Sequence, residues 1–80
     1  MTRQTIFETL IRLIAIQDPK RAESLTESSK IREDLDVDSI ELMEFIINVE
    51  DEFKTAIPDE AIEEMATIAD LIDYLLSRLK

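Results

Sequence analysis

Three aspartates at alternate positions and a serine carry the chemistry that this sequence could perform. Asp34, Asp36 and Asp38 precede Ser39, and a periodic apolar run follows directly. Spaced carboxylates can ligate a divalent cation. A serine at the start of a helix can instead carry a phosphodiester, because free backbone amides and the positive end of the helix dipole favour an anion there. The simplest alternative is that Ser39 only caps the helix through its side-chain oxygen.

The calcium hypothesis fails at two positions of the loop pattern. The aspartates have the one, three and five spacing of an EF-hand, but the sixth position is Ser39, where the sharp turn needs glycine. The twelfth position is Phe45, where the ion needs a bidentate glutamate. We therefore expect no specific metal site, although weak divalent binding by so acidic a loop is expected on Coulomb grounds.

The run that starts at Ser39 divides into two faces when it is placed on a helix at about 100° per residue. The face suited to a core contains Leu42, Phe45, Ile46, Val49 and Phe53. The opposite face contains Ile40, Met43, Glu44, Ile47 and Asp51. A solvated face does not normally carry three large apolar residues edged by carboxylates. We interpret this second face as a docking surface, which capping by Ser39 would not explain.

The composition indicates one small helical domain, residues 1–80, with acidic character. Apolar residues make up 45% of the chain, which is too many for a disordered segment, and the absence of glycine favours helices. The net charge of -10 argues against nucleic acid, since phosphate binding depends on lysine and arginine patches. Basic protein partners are the natural complement of such a surface.

The residue types that are missing argue against an enzyme and against a membrane protein. Without cysteine or histidine, the chain has no thiolate of its own and lacks the commonest general base. No apolar run approaches the roughly 20 residues of a membrane span, and the N-terminus lacks the apolar core of a secretory signal. We therefore expect a cytoplasmic protein that performs no catalysis itself.

The apolar pattern and the helix-capping residues predict an antiparallel four-helix bundle, with three longer helices, one short third helix and a long first loop. The first helix should begin near Thr2 or Thr5 and stop at Asp18, before Pro19. Residues 18–38 should form the connection, held down by Leu25, Ile31 and Leu35. The second helix should run from a cap at Ser39 to about Phe53. The short third helix should cover Asp59 to Met65, with Asp59 as a possible cap. The last helix should begin after a cap at Thr67 that is paired with Asp70.

Four short segments give the sequence a family resemblance. They are Asp38-Ser39-Ile40, Asp51-Glu52-Phe53, Ile57-Pro58-Asp59-Glu60 and Ile72-Asp73-Tyr74. At this spacing they resemble the acyl carrier protein family, from about residue 25 to residue 75 without a gap. The sequence departs from the family pattern at Asp36, where glycine is usual, and at Ile40, where leucine is usual. These departures suggest a dedicated carrier in a specialised pathway.

The resemblance implies that Ser39 carries a 4′-phosphopantetheine arm, transferred from coenzyme A by a phosphopantetheinyl transferase. The terminal thiol of the arm would hold acyl intermediates as thioesters, for fatty-acid, polyketide or another specialised acyl pathway. Other expected partners are acyl-transferring, condensing or adenylating enzymes with basic docking patches, each bound by a monomeric carrier. The family positions that meet such partners correspond to Asp38, Ile40, Glu41, Met43, Glu44, Ile47, Glu50, Asp51 and Ile57.

Two other functions are compatible with the same residues. An aminoacyl or peptidyl carrier would share Ser39 and the arm but would be loaded by an adenylating enzyme. An unmodified acidic helical adaptor would bind basic proteins without any arm. The strong acidity of the helix after Ser39 favours a free-standing acyl carrier. From the aliphatic residues of the predicted core we expect Leu42, Ile46, Ile62 and Leu71 to shield part of a carried chain.

Overall fold

The computed structural model describes residues 2–34 and 38–79, except for the side chain of Ser39. The helices in these ranges are α1 (Arg3–Gln17), α2 (Pro19–Glu23), α3 (Ser39–Phe53), α4 (Asp59–Glu64) and α5 (Ile68–Arg78). The described part of the chain contains no strand, so the predicted all-α class is confirmed. The three longer helices and the short α4 are those predicted from the sequence. The short helix α2 is an addition within the first connection.

The first helix begins and ends through local interactions at Thr2 and Asp18. The Thr2 hydroxyl accepts a hydrogen bond from the Thr5 amide at 3.1 Å, so the cap is the earlier of the two candidate threonines. Asp18 is extended (φ -156°), because a residue before proline is disfavoured in the helical region. The Asp18 carboxylate then accepts from the Lys20 amide at 3.0 Å and caps α2, whose first residue is Pro19.

The connection after α2 is held down by two apolar side chains and by its own hydroxyl groups. Leu25 and Ile31 are buried, as predicted, while Leu35 lies outside the described residues. The buried Ser29 hydroxyl accepts from the Thr26 amide at 2.9 Å and fixes a turn. The connection also exchanges backbone hydrogen bonds with the start of α5, from Ile31 to Ala66, from Ile68 to Ser29 and from Ala69 to Glu27.

The last helix begins with the predicted capping box. The Thr67 hydroxyl accepts from the Asp70 amide at 3.2 Å, and the Asp70 carboxylate accepts from the Thr67 amide at 3.0 Å. The same carboxylate accepts from the Ala66 amide at 2.8 Å. These hydrogen bonds from Ala66 and Thr67 stabilise the ionised form and hold the pKa of Asp70 below its usual value. The box fixes the end of α5 to which the connection is bonded.

The helices enclose one apolar core. The helix α3 contributes Phe45, Ile46, Val49 and Phe53 to it, whereas Leu42, expected on the same face, is only half-buried. The buried residues of the other long helices are Ile6, Leu10, Leu13 and Ile14 from α1 and Ile68, Leu71, Ile72 and Leu75 from α5. The core therefore fixes the orientation of α3, and with it the outward direction of the opposite face.

The short helix α4 begins at Asp59, as predicted, but its cap residue and its last residue differ from the prediction. Pro58 occupies the cap position and makes no side-chain cap hydrogen bond, while Asp59, the predicted cap, is the first residue inside the helix. The fixed φ of Pro58 is compatible with the extended conformation of a cap residue, which explains the displacement by one position. The helix ends at Glu64, and the extended Met65 follows it as the C-terminal cap.

Candidate functional site

The start of α3 places Ser39 one residue inside the helix. Asp38 has the extended backbone of a cap residue (φ -81°, ψ 180°), and its carboxylate accepts from the Glu41 amide at 2.8 Å. The cap is therefore Asp38, and the prediction that Ser39 caps the helix is wrong. Ser39 is the first residue of a 15-residue helix, at the end where backbone amides and the dipole favour an anion.

The residues on both sides of Ser39 and along the outer face of α3 are accessible. Asp38 is exposed, and the side chain of Ile40 is 71% exposed. Met43 and Ile47 are each 47% exposed. These three apolar side chains form what we call the α3 patch, consisting of Ile40, Met43 and Ile47. An exposed patch of large apolar residues next to Ser39 is suited to contact with a protein.

The carboxylates around the α3 patch fall into two groups. Glu44 and Asp51 are exposed. Glu41 and Glu50 are half-buried and bind other parts of the chain. Glu41 accepts from the Arg21 guanidinium at 2.9 Å, and Glu50 accepts from the Ile57 backbone amide at 2.7 Å. Internal hydrogen bonds therefore occupy two of the carboxylates that were expected to face partners.

The expectation that Ile57 adds to the partner surface is wrong in this structure. Its side chain is only 4% exposed and belongs to the core. The hydrogen bond from its amide to Glu50 holds the segment between α3 and α4 against the helix. The family position is the basis of that expectation, and the loop has no periodic pattern that would indicate the burial of Ile57.

Two side chains that the sequence did not single out hold the first turn of α3. Arg21 of α2 binds the Glu41 carboxylate, and its Nε lies 3.3 Å from an oxygen of Asp18. Gln17 donates from Nε2 to the Glu41 backbone carbonyl at 3.2 Å. Gln17 is the last residue of α1, whereas the contact of Arg21 depends on α2, whose five residues are too few to produce a periodic signal. The Asp18-Pro19 pair was the available signal for this helix, as a cap followed by a first helical proline.

An open apolar cleft lies between α3 and α4 beside the α3 patch. Its residues are Arg32, Leu42, Met43, Ile46, Asp59, Ile62 and Glu63, and its volume is about 320 Å³. Three of the four residues expected to shield a carried chain line it, while Leu71 is fully buried. The Arg32 guanidinium donates to the Ile62 carbonyl at 3.3 Å at the edge of the cleft.

The two described aspartates before Ser39, Asp34 and Asp38, accept hydrogen bonds from backbone amides. Asp34 accepts from the Lys30 amide at 2.8 Å, and Asp38 caps α3. Asp36 lies outside the described residues, so the departure from the family pattern there has no structural description. Within residues 2–34 and 38–79, no cluster of three or more possible ligands is arranged to hold a metal ion. Over the same residues, no helix is long and apolar enough to cross a membrane.

Comparison with known proteins places this fold and site in a class. The family of phosphopantetheine attachment sites matches residues 6–75. The acyl carrier protein of Lactobacillus acidophilus is 40% identical over 77 residues, which are 96% of each chain. That of Exiguobacterium sp. is 32% identical over 79 residues, covering 99% of this chain and 100% of that protein. The solved acyl carrier protein of Enterococcus faecalis is 36% identical, with a TM-score of 0.76 over 96% of this chain and 98% of that one.

These similarities define a phosphopantetheine-dependent carrier domain. The chain belongs to the acyl carrier protein family. Its function is to carry acyl groups on a phosphopantetheine arm, whose terminal thiol supplies the thioester chemistry that the chain itself, without cysteine, lacks.

Proposed function

We propose that Ser39 is the attachment residue for the 4′-phosphopantetheine arm. In this reaction the serine hydroxyl oxygen forms a new bond to the phosphorus that bears the pantetheine part of coenzyme A. The phosphoanhydride bond breaks, adenosine 3′,5′-bisphosphate leaves, and the hydroxyl proton passes to a base of the transferase. The observation that supports the assignment is the position of Ser39 as the first residue of α3, between the exposed Asp38 and Ile40.

The start of α3 suits the phosphodiester that this reaction leaves behind. A negative charge at a helix N-terminus is stabilised by roughly 0.3–1 kcal/mol through the dipole. The Asp38 carboxylate uses one oxygen to accept from the Glu41 amide, so other first-turn amides of α3 remain for the phosphate oxygens. Ser39 therefore has a local environment in which an added anion is favourable.

The α3 patch and its carboxylates suit enzymes with basic docking surfaces. Ile40, Met43 and Ile47 offer an apolar centre, and Glu44 and Asp51 offer a charged rim. We assign this surface to the transferase and to the acyl-transferring, condensing or adenylating enzymes that act on the arm. The cytoplasmic location, the monomeric state, the absence of catalysis and the particular acyl pathway stay predictions from the sequence.

The cleft between α3 and α4 offers apolar contacts to an aliphatic acyl cargo. Leu42, Met43, Ile46 and Ile62 line it, beside the charged side chains of Arg32, Asp59 and Glu63. If the cleft receives the carried chain, methyl resonances of these residues should move as acyl chains of increasing length are loaded. Resonances that are indifferent to chain length would exclude this location.

The attachment site is tested by intact mass after incubation with coenzyme A and a permissive phosphopantetheinyl transferase. The wild-type chain should gain the mass of one phosphopantetheinyl group, and Ser39→Ala should gain nothing. Ser28→Ala is the matched control, because Ser28 is also exposed but lies in the connection, and it should gain the same mass as wild type. No gain in the wild type, or a gain that survives Ser39→Ala, would falsify the assignment.

A further inference from the structure

One more exposed isoleucine, Ile16, lies outside the α3 patch, in the last turn of α1. The side chain of Ile16 is 71% exposed, the same fraction as that of Ile40. The core-facing residues of the same helix, such as Leu13 and Ile14, are buried. Ile16 therefore contributes little to the core, and its exposure has no explanation in the fold.

Ile16 lies in an open groove between the end of α1 and the polar stripe of α3. The groove has a volume of about 610 Å³ and is lined by Ile16, Gln17, Asp18, Arg21, Glu41, Glu44 and Asn48. Residues 41, 44 and 48 are spaced by three and four, so they form one stripe along α3. Glu44 also borders Ile40 and Ile47 on the helix surface. The groove is thus continuous with the α3 patch, and the Glu44 carboxylate is shared by both.

The charges in the groove favour a basic partner. Arg21 is the one cation among the described residues that line it, and Asp18 and Glu41 bind its guanidinium at 3.3 and 2.9 Å. No described residue forms an ion pair or hydrogen bond with the exposed Glu44 carboxylate. A second copy of this chain would bring another net charge of -10 to the same place, which is unfavourable. A lysine or arginine beside an apolar side chain is complementary to Glu44 and Ile16 together.

We propose that this groove is a second part of the docking surface, and that Ile16 is its apolar anchor for the phosphopantetheinyl transferase. The transferase would place a basic side chain at Glu44, between two apolar contacts, one at Ile16 and one at the α3 patch. This inference rests on the proposed function, since it assigns a further contact to the enzyme that modifies Ser39. It extends the docking surface from α3 to the end of α1.

The test is the steady-state rate of arm transfer from coenzyme A by a permissive phosphopantetheinyl transferase, measured against carrier concentration. Ile16→Ser should raise KM for the carrier about fivefold with kcat unchanged, the effect of losing one aliphatic contact. Ile16→Val should stay close to wild type, because it keeps an apolar side chain. Circular dichroism should give all three proteins the same melting temperature, since residue 16 is exposed.

The salt dependence of KM distinguishes the apolar contact of Ile16 from the charge of the Glu44 carboxylate. Glu44→Gln should raise KM at low ionic strength, and this difference should shrink as salt is added. The increase caused by Ile16→Ser should persist at high salt. Glu8→Gln is the matched control for the charge, because Glu8 is exposed on α1 but does not line the groove, and its KM should equal that of wild type.

The failure of this inference is distinguishable from that of the proposed function. If the wild type is modified at Ser39 and Ile16→Ser has the wild-type KM, the anchor role is wrong and the attachment site stands. The same holds if Ile16→Ser lowers kcat alone. If the wild type gains no arm, the proposed function and the inference that depends on it both fail.

Discussion

Glu44 and Glu50 lie six positions apart on α3, and their different surroundings predict different effects of mutation. Glu50 accepts from the Ile57 amide at 2.7 Å, whereas Glu44 is exposed. Glu50→Lys removes this acceptor and should lower the free energy of unfolding by about 1–2 kcal/mol, near the low end for a lost hydrogen bond to a charged group because Glu50 is only half-buried. Thermal denaturation should show a melting temperature lower by roughly 5–10 °C.

Glu44→Lys is the matched control for Glu50→Lys, because each substitution changes the net charge equally. Its free energy of unfolding should stay within about 0.5 kcal/mol of wild type. The rate at which the transferase attaches the arm to it should fall. Equal destabilisation by the two substitutions would contradict the structural role assigned to Glu50.

At the scale of single residues, the sequence indicated a candidate site but not the structural role of every residue in it. Aspartate and serine are about equally good caps, so the choice between Asp38 and Ser39 depends on which residue has the extended backbone. Ile57 shows the second limit, because its burial depends on a loop that is held by the Glu50 hydrogen bond. The exposure of Ile40 and Ile47 was predictable because it follows from helical periodicity alone.

At the scale of elements, predictability depended on the length of each helix. The long helices have enough turns to show an apolar stripe, and α5 also has a complete capping box at Thr67 and Asp70. The five-residue α2 shows no stripe, and its role appears only in tertiary contacts such as that of Arg21 with Glu41. The support of the α3 start by α2 was therefore not predictable from the local sequence.

The capping box of α5 predicts a dependence of stability on pH. The pKa of Asp70 is lowered in the folded chain by hydrogen bonds from Ala66 and Thr67. Its contribution is therefore complete above its ordinary pKa of 3.8 and is lost as the pH falls through the lower, folded value. Asp70→Asn should be less stable than wild type by about 1 kcal/mol near neutral pH, a low figure because the carboxylate is partly exposed.

Urea denaturation at a series of pH values measures this difference between wild type and Asp70→Asn. The difference should be constant above about pH 5 and should shrink as the pH falls further. Asp51→Asn serves as the control, because Asp51 is exposed on α3 and lies outside the capping box. A difference for Asp70→Asn that is the same at every pH would mean that its charge contributes nothing.

At the scale of the whole molecule, the excess of negative charge affects folding and docking in opposite ways. The chain has 19 acidic and 9 basic residues, and several of the cations form ion pairs between distant parts of the fold. Arg3 joins α1 to Glu27 in the connection and to Asp73 in α5, and Arg12 of α1 lies 3.0 Å from Glu52 of α3. The remaining carboxylates repel one another in the folded chain but attract basic partners.

Added salt should therefore stabilise the fold while it weakens docking. Screening of the repulsion should raise the melting temperature by at least about 5 °C between roughly 0.02 and 0.5 M NaCl. The triple variant Glu8→Gln, Glu44→Gln, Asp51→Asn removes three exposed carboxylates. Its melting temperature at low salt should be higher than that of wild type, and it should rise less as salt is added. Over the same range, the KM for arm transfer to wild type should increase, because attraction to the basic transferase is screened. If the triple variant and the wild type respond equally to salt, ordinary salt effects on apolar burial account for the stabilisation, and the repulsion among surface carboxylates does not.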